Sequence, residues 1–178
     1  AIRKHYPGQA YKVASGLLGL GQMMLAKVVV VTDHDVSPRP GLQALQKALE
    51  LALPGRDTLI TRGPVDVLDH SARAEGFGGK LIIDGTAKWI QEGGHIAFTP
   101  TQHNILPHHP GAVAQQQLPG IWLITLDKQH PGQARRLAQD LAETPQGVGI
   151  RLMLLAGADT DPNNPEEMLW LEASDGYL

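Results

Sequence analysis

The stretch "VVVVTD", Val28 to Asp33, decides the fold class of this 178-residue chain. Four consecutive β-branched residues predict a strand that is buried on both faces, the usual state of a strand in a parallel sheet. The segment "GLQALQKALELAL", residues 41–53, follows with leucines near helical spacing, and Pro54-Gly55 ends that helix. A buried strand followed by an amphipathic helix is typical of α/β proteins.

The same alternation continues along the chain. Apolar runs predict further strands, and amphipathic patterns predict further helices, so we expect a three-layer α/β/α sandwich with a mostly parallel or mixed sheet. The predicted strands are residues 57–62, 80–84, 120–127 and 151–157, and the later helices begin near residues 131 and 165.

A repeat organises this pattern into two related βα units. A shift of 124 residues aligns "YPGQA" at residue 6 with "HPGQA" at residue 130 and makes 11 of 54 overlapping positions identical, where ordinary composition gives roughly four. We predict a domain core at residues 1–90, a linker at 91–119 with at most one short helix, and a partial second copy at 120–178. The two copies form either separate bodies or one continuous domain.

The repeat also makes a prediction about the ends of the chain. A strand precedes the second "PGQA" helix, so we expect a strand before the first one, ahead of Ala1. The second copy stops at Leu178, one strand early. We therefore expect the chain to be a fragment of a longer protein.

Composition excludes several classes of protein. The net charge is −3 and no basic stripe is present, so we expect no nucleic-acid partner. The longest apolar runs have strand length, far below the roughly 20 residues that a membrane helix needs. The absence of cysteine excludes disulfides and thiolate metal sites, and with no signal peptide in the sequence it favours a cytoplasmic protein.

Two groups of polar residues are candidates for chemistry. Asp33, His34 and Asp35 follow the strongest strand, where they would bind a hard metal or act as acid and base; alternatively, the two aspartates cap the turn and the next helix. The second group lies in a glycine-rich segment that matches no phosphate-binding loop. Its members are Asp69, His70, Lys80, Asp84, Thr86 and Lys88, and their roles stay open.

Three histidines in the proline-rich stretch, at positions 103, 108 and 109, allow a metal site. A solvated linker is the alternative for that stretch.

Read together, four phrases of residues 1–90 resemble the carboxyl-terminal domain of UbiD-type decarboxylases. They are "IRKHYPGQA", "VVVVTDHDV", "PVDVLDHSA" and "GGKLIIDGTAKW", beside family phrases of the form I-K-K-x-Y-P-G-H-A, D-D-D-V, P-x-D-x-L-D-H-A-S and G-S-K-x-G-I-D-A-T-x-K-W. The four phrases occur in the same order in this chain as in the family. The departures, such as "DHD" for an acidic triad, leave the substrate class open.

The resemblance implies a carboxy-lyase that decarboxylates an aromatic acid without oxidation, such as 4-hydroxy-3-polyprenylbenzoate or a menaquinone precursor. It implies prenylated FMN and a divalent metal, Mn or Mg, bound mainly outside this chain, so no catalytic residue and no metal ligand is assigned here. The implied partners are a flavin-binding amino-terminal domain and further copies in a homo-oligomer. This part would serve oligomerisation and active-site closure.

Within the resemblance, Lys4 and Tyr6 are the candidates to face the flavin domain. Two other classes of protein remain as alternatives: a non-enzymatic oligomerisation or interaction module of the same fold, and a doubly wound nucleotide-binding domain. The second lacks a glycine fingerprint after its best strand.

Overall fold

The valine run forms the strand that its pattern predicts. The structure, a computed structural model, describes residues 1–69, 74–98 and 111–174. These residues fall mainly into two units, one before residue 98 and one from residue 98 to residue 172. The first unit contains α1 (Gln9–Leu18), β1 (Val28–Thr32), α2 (Gly41–Leu51), β2 (Thr58–Pro64) and β3 (Phe77–Gly85), with 3₁₀ turns at Gly21–Leu25 and Ile90–Glu92. The second contains β4 (Ala112–Leu118), β5 (Ile121–Leu126), α3 (Gln133–Ala142), a 3₁₀ turn at Pro145–Gly147, β6 (Leu152–Gly157) and α4 (Pro165–Ser174).

The sheet of the first unit is mixed, with strand order β1-β3-β2. β3 is central: it pairs with β1 in parallel and with β2 antiparallel. Helix α1 covers one face, where Ala10 and Ala14 pack against Val29, Val31 and Ile82. The small alanine side chains allow the helix to approach the sheet closely.

Helix α2 covers the opposite face. Gly85 lies three positions after Ile82 and therefore faces the other side of the sheet. A Cβ atom built on Gly85 would lie 2.3 Å from the Cβ of Ala48 in α2. Helix, sheet and helix thus form three layers, and the predicted α/β/α class with a mixed sheet is confirmed.

The second unit has strand order β4-β5-β6. β5 is antiparallel to β4 and parallel to β6, and all six of its residues are buried. Trp122, Ile124 and Leu126 of β5 pack with Leu137 and Leu141 of α3. A continuous apolar run is therefore a central strand here, as the sequence predicts.

Strand β4 corrects the predicted linker at residues 91–119. Residues 112–118 form an edge strand, although "AVAQQQL" carries three glutamines and little β propensity. Its backbone hydrogen bonds to β5 supply the stability that its own side chains do not. The three histidines of the proline-rich stretch lie outside the described residues.

The two "PGQA" phrases have the same local structure. α1 and α3 begin after Gly8 and Gly132, whose φ angles are 74° and 83°, a region in which glycine avoids the steric cost of a side chain. The division of the whole chain into a core at residues 1–90 and a partial second copy at residues 120–178 stays a prediction.

No helix in the described ranges combines the length and hydropathy that crossing a bilayer requires.

We expect Gly85→Ala to lower the free energy of unfolding by about 1–3 kcal/mol, because the new methyl group overlaps Ala48 and pushes α2 from the sheet. Urea denaturation followed by circular dichroism measures the change. The matched control is Gly16→Ala in α1, whose added Cβ meets no atom within 4 Å. That substitution should stabilise the helix by about 0.5–1 kcal/mol. Equal stability of Gly85→Ala and the parent chain would contradict the close packing of α2.

Candidate functional site

The candidate site lies where β1 and β3 end. Because the two strands are parallel, their carboxyl ends meet at the same edge of the sheet, the edge at which open α/β proteins bind ligands. Charged and polar side chains from this edge and from the start of the chain form what we term the carboxyl-edge network. Its members are Lys4, Asp33, Asp84, Thr86, Lys88 and Glu92.

Glu92 joins the start of the chain to the segment after β3. Its Oε2 accepts from the Lys4 Nζ at 2.5 Å and from the Trp89 N–H at 2.8 Å, and its Oε1 accepts from the Gly8 N–H at 2.8 Å. The Lys4 ammonium also donates to Thr86 Oγ1 and to the carbonyl of residue 87, at 3.0 and 2.9 Å. These bonds hold the approach to α1 against the end of β3.

The end of β3 contains a second buried pair. Lys88 Nζ lies 3.1 Å from Asp84 Oδ1, and both side chains are almost fully buried. Asp84 Oδ1 also accepts from the backbone N–H and the hydroxyl of Thr86, at 2.9 and 2.6 Å. Buried charges require such partners because desolvation is costly. The pair therefore fixes the turn that follows β3.

Asp33 binds the same turn from β1. Its Oδ2 accepts from the Ala87 N–H at 2.7 Å. The alternative that the aspartates cap the next helix is wrong, since α2 begins after Pro40 without a side-chain cap. His34 and Asp35 are exposed.

Burial raises the pKa of Glu92, but hydrogen bonds from the Gly8 N–H, the Lys4 ammonium and the Trp89 N–H outweigh it and lower the pKa below 4.5. The carboxylate thus stays ionised at neutral pH.

A third ion pair lies at the opposite ends of the same strands. Lys27, just before β1, binds Asp69 at 2.6 Å, with both side chains buried. Lys80 donates to the carbonyls of Met24 and Ala26. Burial lowers the pKa of Lys80; nearby Asp69 opposes this effect and Lys27 adds to it. Asp69 and Lys80 therefore have structural partners, and His70 lies outside the described residues.

Arg56 ties the loop before β2 to the turn at residues 93–94. Its guanidinium donates to both carboxylate oxygens of Asp57 at 2.9 and 2.7 Å, and to the carbonyls of Gly93 and Gly94. Tyr11 donates its hydroxyl to the Arg56 carbonyl at 3.1 Å. Burial, with the negative charge of nearby carboxylates as a smaller cause, raises the pKa of Tyr11 to about 12.

Lys4 and Tyr6, the two residues predicted to face the cleft toward a flavin domain, have different surroundings. The Lys4 side chain is 4% exposed and belongs to the network. Tyr6 is 41% exposed, and the centroid of its ring lies 6.0 Å from the Lys12 Nζ. Their role toward a flavin domain stays a prediction. Sequence reasoning missed Glu92 and Arg56, because neither carries a local motif and each binds residues far away along the chain.

The donor set of the network does not fit a metal site. The Glu92 and Asp84 carboxylates already accept from ammonium, amide and hydroxyl donors, and one oxygen of Asp33 accepts from an amide. Within residues 1–69, 74–98 and 111–174, no three His, Cys, Asp or Glu side chains gather as a ligand set.

The first unit is therefore a small α/β domain. Residues of its recognisable phrases form ion pairs with each other or with nearby residues, at both ends of the parallel strands β1 and β3. Residues 1–85 match the family model described as the 3-octaprenyl-4-hydroxybenzoate carboxy-lyase C-terminal domain. Residues 1–85 are therefore similar to the carboxyl-terminal domain of UbiD-type carboxy-lyases, and the resemblance seen in the sequence is confirmed.

Two relatives each match about half of the chain. An uncharacterized protein of Aquifex aeolicus is 50% identical over 93 residues, which are 52% of this chain and 19% of the relative. One of Archaeoglobus fulgidus is 43% identical over 94 residues, 52% of this chain and 20% of the relative. The matched region thus spans about a fifth of the length of these relatives.

Solved structures of the Sedimentibacter hydroxybenzoicus vanillic acid decarboxylase also resemble the chain. The open form is 24% identical, covers 77% of this chain and 24% of its own, and has a TM-score of 0.45. The closed form is 24% identical, and the match covers 80% of this chain and 25% of the decarboxylase chain, with a TM-score of 0.43. Such TM-scores do not identify a fold, so the assignment rests on residues 1–85.

We expect Glu92→Gln to lower the free energy of unfolding by about 1.5–3 kcal/mol at neutral pH, because the buried Lys4 ammonium loses its counter-charge. Since the folded pKa of Glu92 is lowered, its ionisation stabilises the fold above pH 4.5 and that stability disappears as the pH falls through the folded value. Urea denaturation between about pH 7 and about pH 3 should therefore show the cost of the substitution shrinking in acid.

The matched control is Glu50→Gln, which breaks the exposed Lys47–Glu50 pair. Its effect should stay within about 0.5 kcal/mol. A Glu92→Gln cost that is constant across this pH range would contradict the role given to the carboxylate.

Proposed function

We propose that this chain is the carboxyl-terminal part of a UbiD-type carboxy-lyase that decarboxylates an aromatic acid without oxidation. The substrate that we propose is 4-hydroxy-3-polyprenylbenzoate or a menaquinone precursor. The observation that carries the proposal is the match of residues 1–85 to a carboxy-lyase family model. In the proposal, prenylated FMN and a divalent metal, Mn or Mg, are bound mainly by another part of a cytoplasmic enzyme, so the isolated chain is inactive.

The role proposed for this part is closure of the active site. Loss of CO2 next to a reactive cofactor benefits from a site without bulk water, and a rigid domain that moves as a body supplies a lid. The Lys4–Glu92 pair and the Gly8–Glu92 bond tie the first residues to the end of β3. A displacement of the entering chain would therefore carry the whole unit with it instead of bending that chain.

A second proposed role is assembly into a homo-oligomer. Strands β2 and β3 expose three large apolar side chains, since Leu59, Ile60 and Phe77 are 41%, 60% and 54% exposed. Val67 and Leu68, which follow β2, are 68% and 62% exposed. Exposed apolar side chains along an edge strand are candidates for contact with another protein surface.

We expect Lys4→Ala in the complete enzyme to lower kcat by at least about tenfold, because a poorly anchored domain closes in the wrong position. The amount of bound flavin should stay unchanged, since the flavin lies mainly outside this chain. Stopped-time assays of CO2 release and the flavin absorbance of purified protein measure both quantities. Glu50→Gln, with its exposed ion pair, is the control and should retain full kcat.

An unchanged kcat of the complete enzyme carrying Lys4→Ala would contradict the closure role. CO2 release by the isolated 178-residue chain, supplied with prenylated FMN, metal and aromatic acid, would contradict the division of labour between the two parts.

We expect Ile60→Asp to reduce the mass of the assembled enzyme in light-scattering chromatography, because a carboxylate on a buried interface is costly. Val148→Asp is the matched control: Val148 is 71% exposed and belongs to the second unit. An unchanged mass for Ile60→Asp would exclude this surface from the oligomer interface.

A further inference from the structure

Strand β2 has a free backbone edge. It lies at the end of the strand order β1-β3-β2, so among the described residues no strand pairs with its outer side. Just before the strand the Asp84 N–H donates to the Asp57 carbonyl at 2.9 Å, and just after it the Val65 N–H donates to the Gly76 carbonyl at 3.0 Å. Backbone groups alternate in direction along a strand, so the odd-numbered residues of β2 face β3 and the even-numbered residues face the free edge.

The free edge is protected at one end only. Thr58, Ile60 and Arg62 each direct an N–H and a carbonyl to it, whereas Pro64 has no N–H to offer. Charged residues and proline are devices that protect strand edges from wrong pairing. Both stand at the carboxyl end of β2, so the part of the edge before Arg62 carries neither device.

β2 also exposes an apolar side chain on each face of the sheet. Leu59 pairs with Ile82, which packs against α1, so Leu59 lies on the α1 face. Ile60 is the next residue and therefore lies on the α2 face. Both side chains are exposed, so neither helix fully covers this strand. A strand placed beside β2 would bury part of each.

We propose that two copies of this chain pair through their β2 strands, antiparallel and around a two-fold axis at Ile60. This pairing rests on the assembly role proposed for the chain and specifies its contact. Ile60 then faces Ile60 of the second copy, and Thr58 faces Arg62 of the second copy. The three pairs exchange two backbone hydrogen bonds each, about six in all. The two three-stranded sheets become one, and the two-fold contact closes a dimer.

The side chains of the edge select this register. A shift by one pair toward the carboxyl end places Ile60 opposite Arg62, and a further shift opposes the two copies of Arg62, which is unfavourable for like charges. A shift in the other direction moves Arg62 beyond the partner strand. With Ile60 on the axis the two arginines are separated by four residues, roughly 14 Å, which exceeds the Debye length of about 8–10 Å.

A second copy matches this edge on both faces of the sheet. Across the axis the Ile60 side chains cover each other on the α2 face, and Leu59 lies beside Thr61 of the second copy on the α1 face. Each copy therefore covers the same apolar side chains that it exposes.

The chain contains no cysteine, so introduced thiols report the pairing directly. The test compares Leu59→Cys/Thr61→Cys with each single substitution in the full 178-residue chain. Residues 59 and 61 of opposite copies would form a non-hydrogen-bonded pair with Cα atoms about 4.5 Å apart, which a disulfide spans. Identical residues of the two copies would lie on a diagonal, about 7–8 Å apart, which a disulfide does not bridge.

We expect the double variant to form covalent dimer in oxidised glutathione at least about tenfold faster than either single variant. Non-reducing gels and intact-mass measurement follow the product. Adding Ile60→Pro to the double variant removes the N–H at the axis but leaves the odd-numbered N–H groups that face β3. It should slow cross-linking by at least about tenfold, with the circular dichroism spectrum unchanged. Ile60→Val, which keeps the N–H, is the matched control and should cross-link at the rate of the double variant.

Fastest cross-linking by Thr61→Cys alone or by Leu59→Cys alone would overturn the axis at Ile60, because that residue would then lie opposite itself. A folded double variant that forms no covalent dimer would overturn the pairing, as would equal rates with and without Ile60→Pro. None of these results bears on the carboxy-lyase proposal, which CO2 release by the complete enzyme tests separately.

Discussion

The Glu92 carboxylate is the point on which the first unit depends. It accepts hydrogen bonds from Lys4, from the Gly8 N–H and from the Trp89 N–H, and so connects residues that are more than 80 positions apart. Without it, the Lys4 hydrogen bonds to Thr86 Oγ1 and the Ala87 carbonyl would still join the approach to α1 to the turn after β3, but the Lys4 ammonium would lose its carboxylate partner. Nothing in the local sequence marks this residue, because its partners are brought to it by the parallel pairing of β1 and β3.

Several acidic and basic residues of the family phrases have structural partners in this unit. Asp69 binds Lys27 and Asp84 binds Lys88, in each case with both side chains buried. A buried pair is costly to break from one side, since the remaining charge has no counter-charge. Folding alone therefore accounts for charged residues in positions that, in the sequence, suggest acid–base chemistry or metal binding.

The predictable parts of the fold are those whose signal is local. Four consecutive valines predict β1, and the apolar run before residue 127 predicts β5, since each strand is covered on both faces. Strand β4 was missed because its glutamine-rich sequence becomes a strand only through pairing with β5. For the same reason the site was only partly predictable: Lys4 and Asp84 stand in recognisable phrases, whereas Glu92 does not.

The repeated phrase is predictable for a physical reason of its own. The Gln9 side chain accepts from the His5 N–H at 2.6 Å, and Gln133 accepts from the Gln129 N–H at 2.8 Å. Each glutamine thus satisfies a backbone donor just before its own helix, next to a glycine that turns the chain. Because this device is local, the phrase keeps the same structure in both units even though most other residues differ.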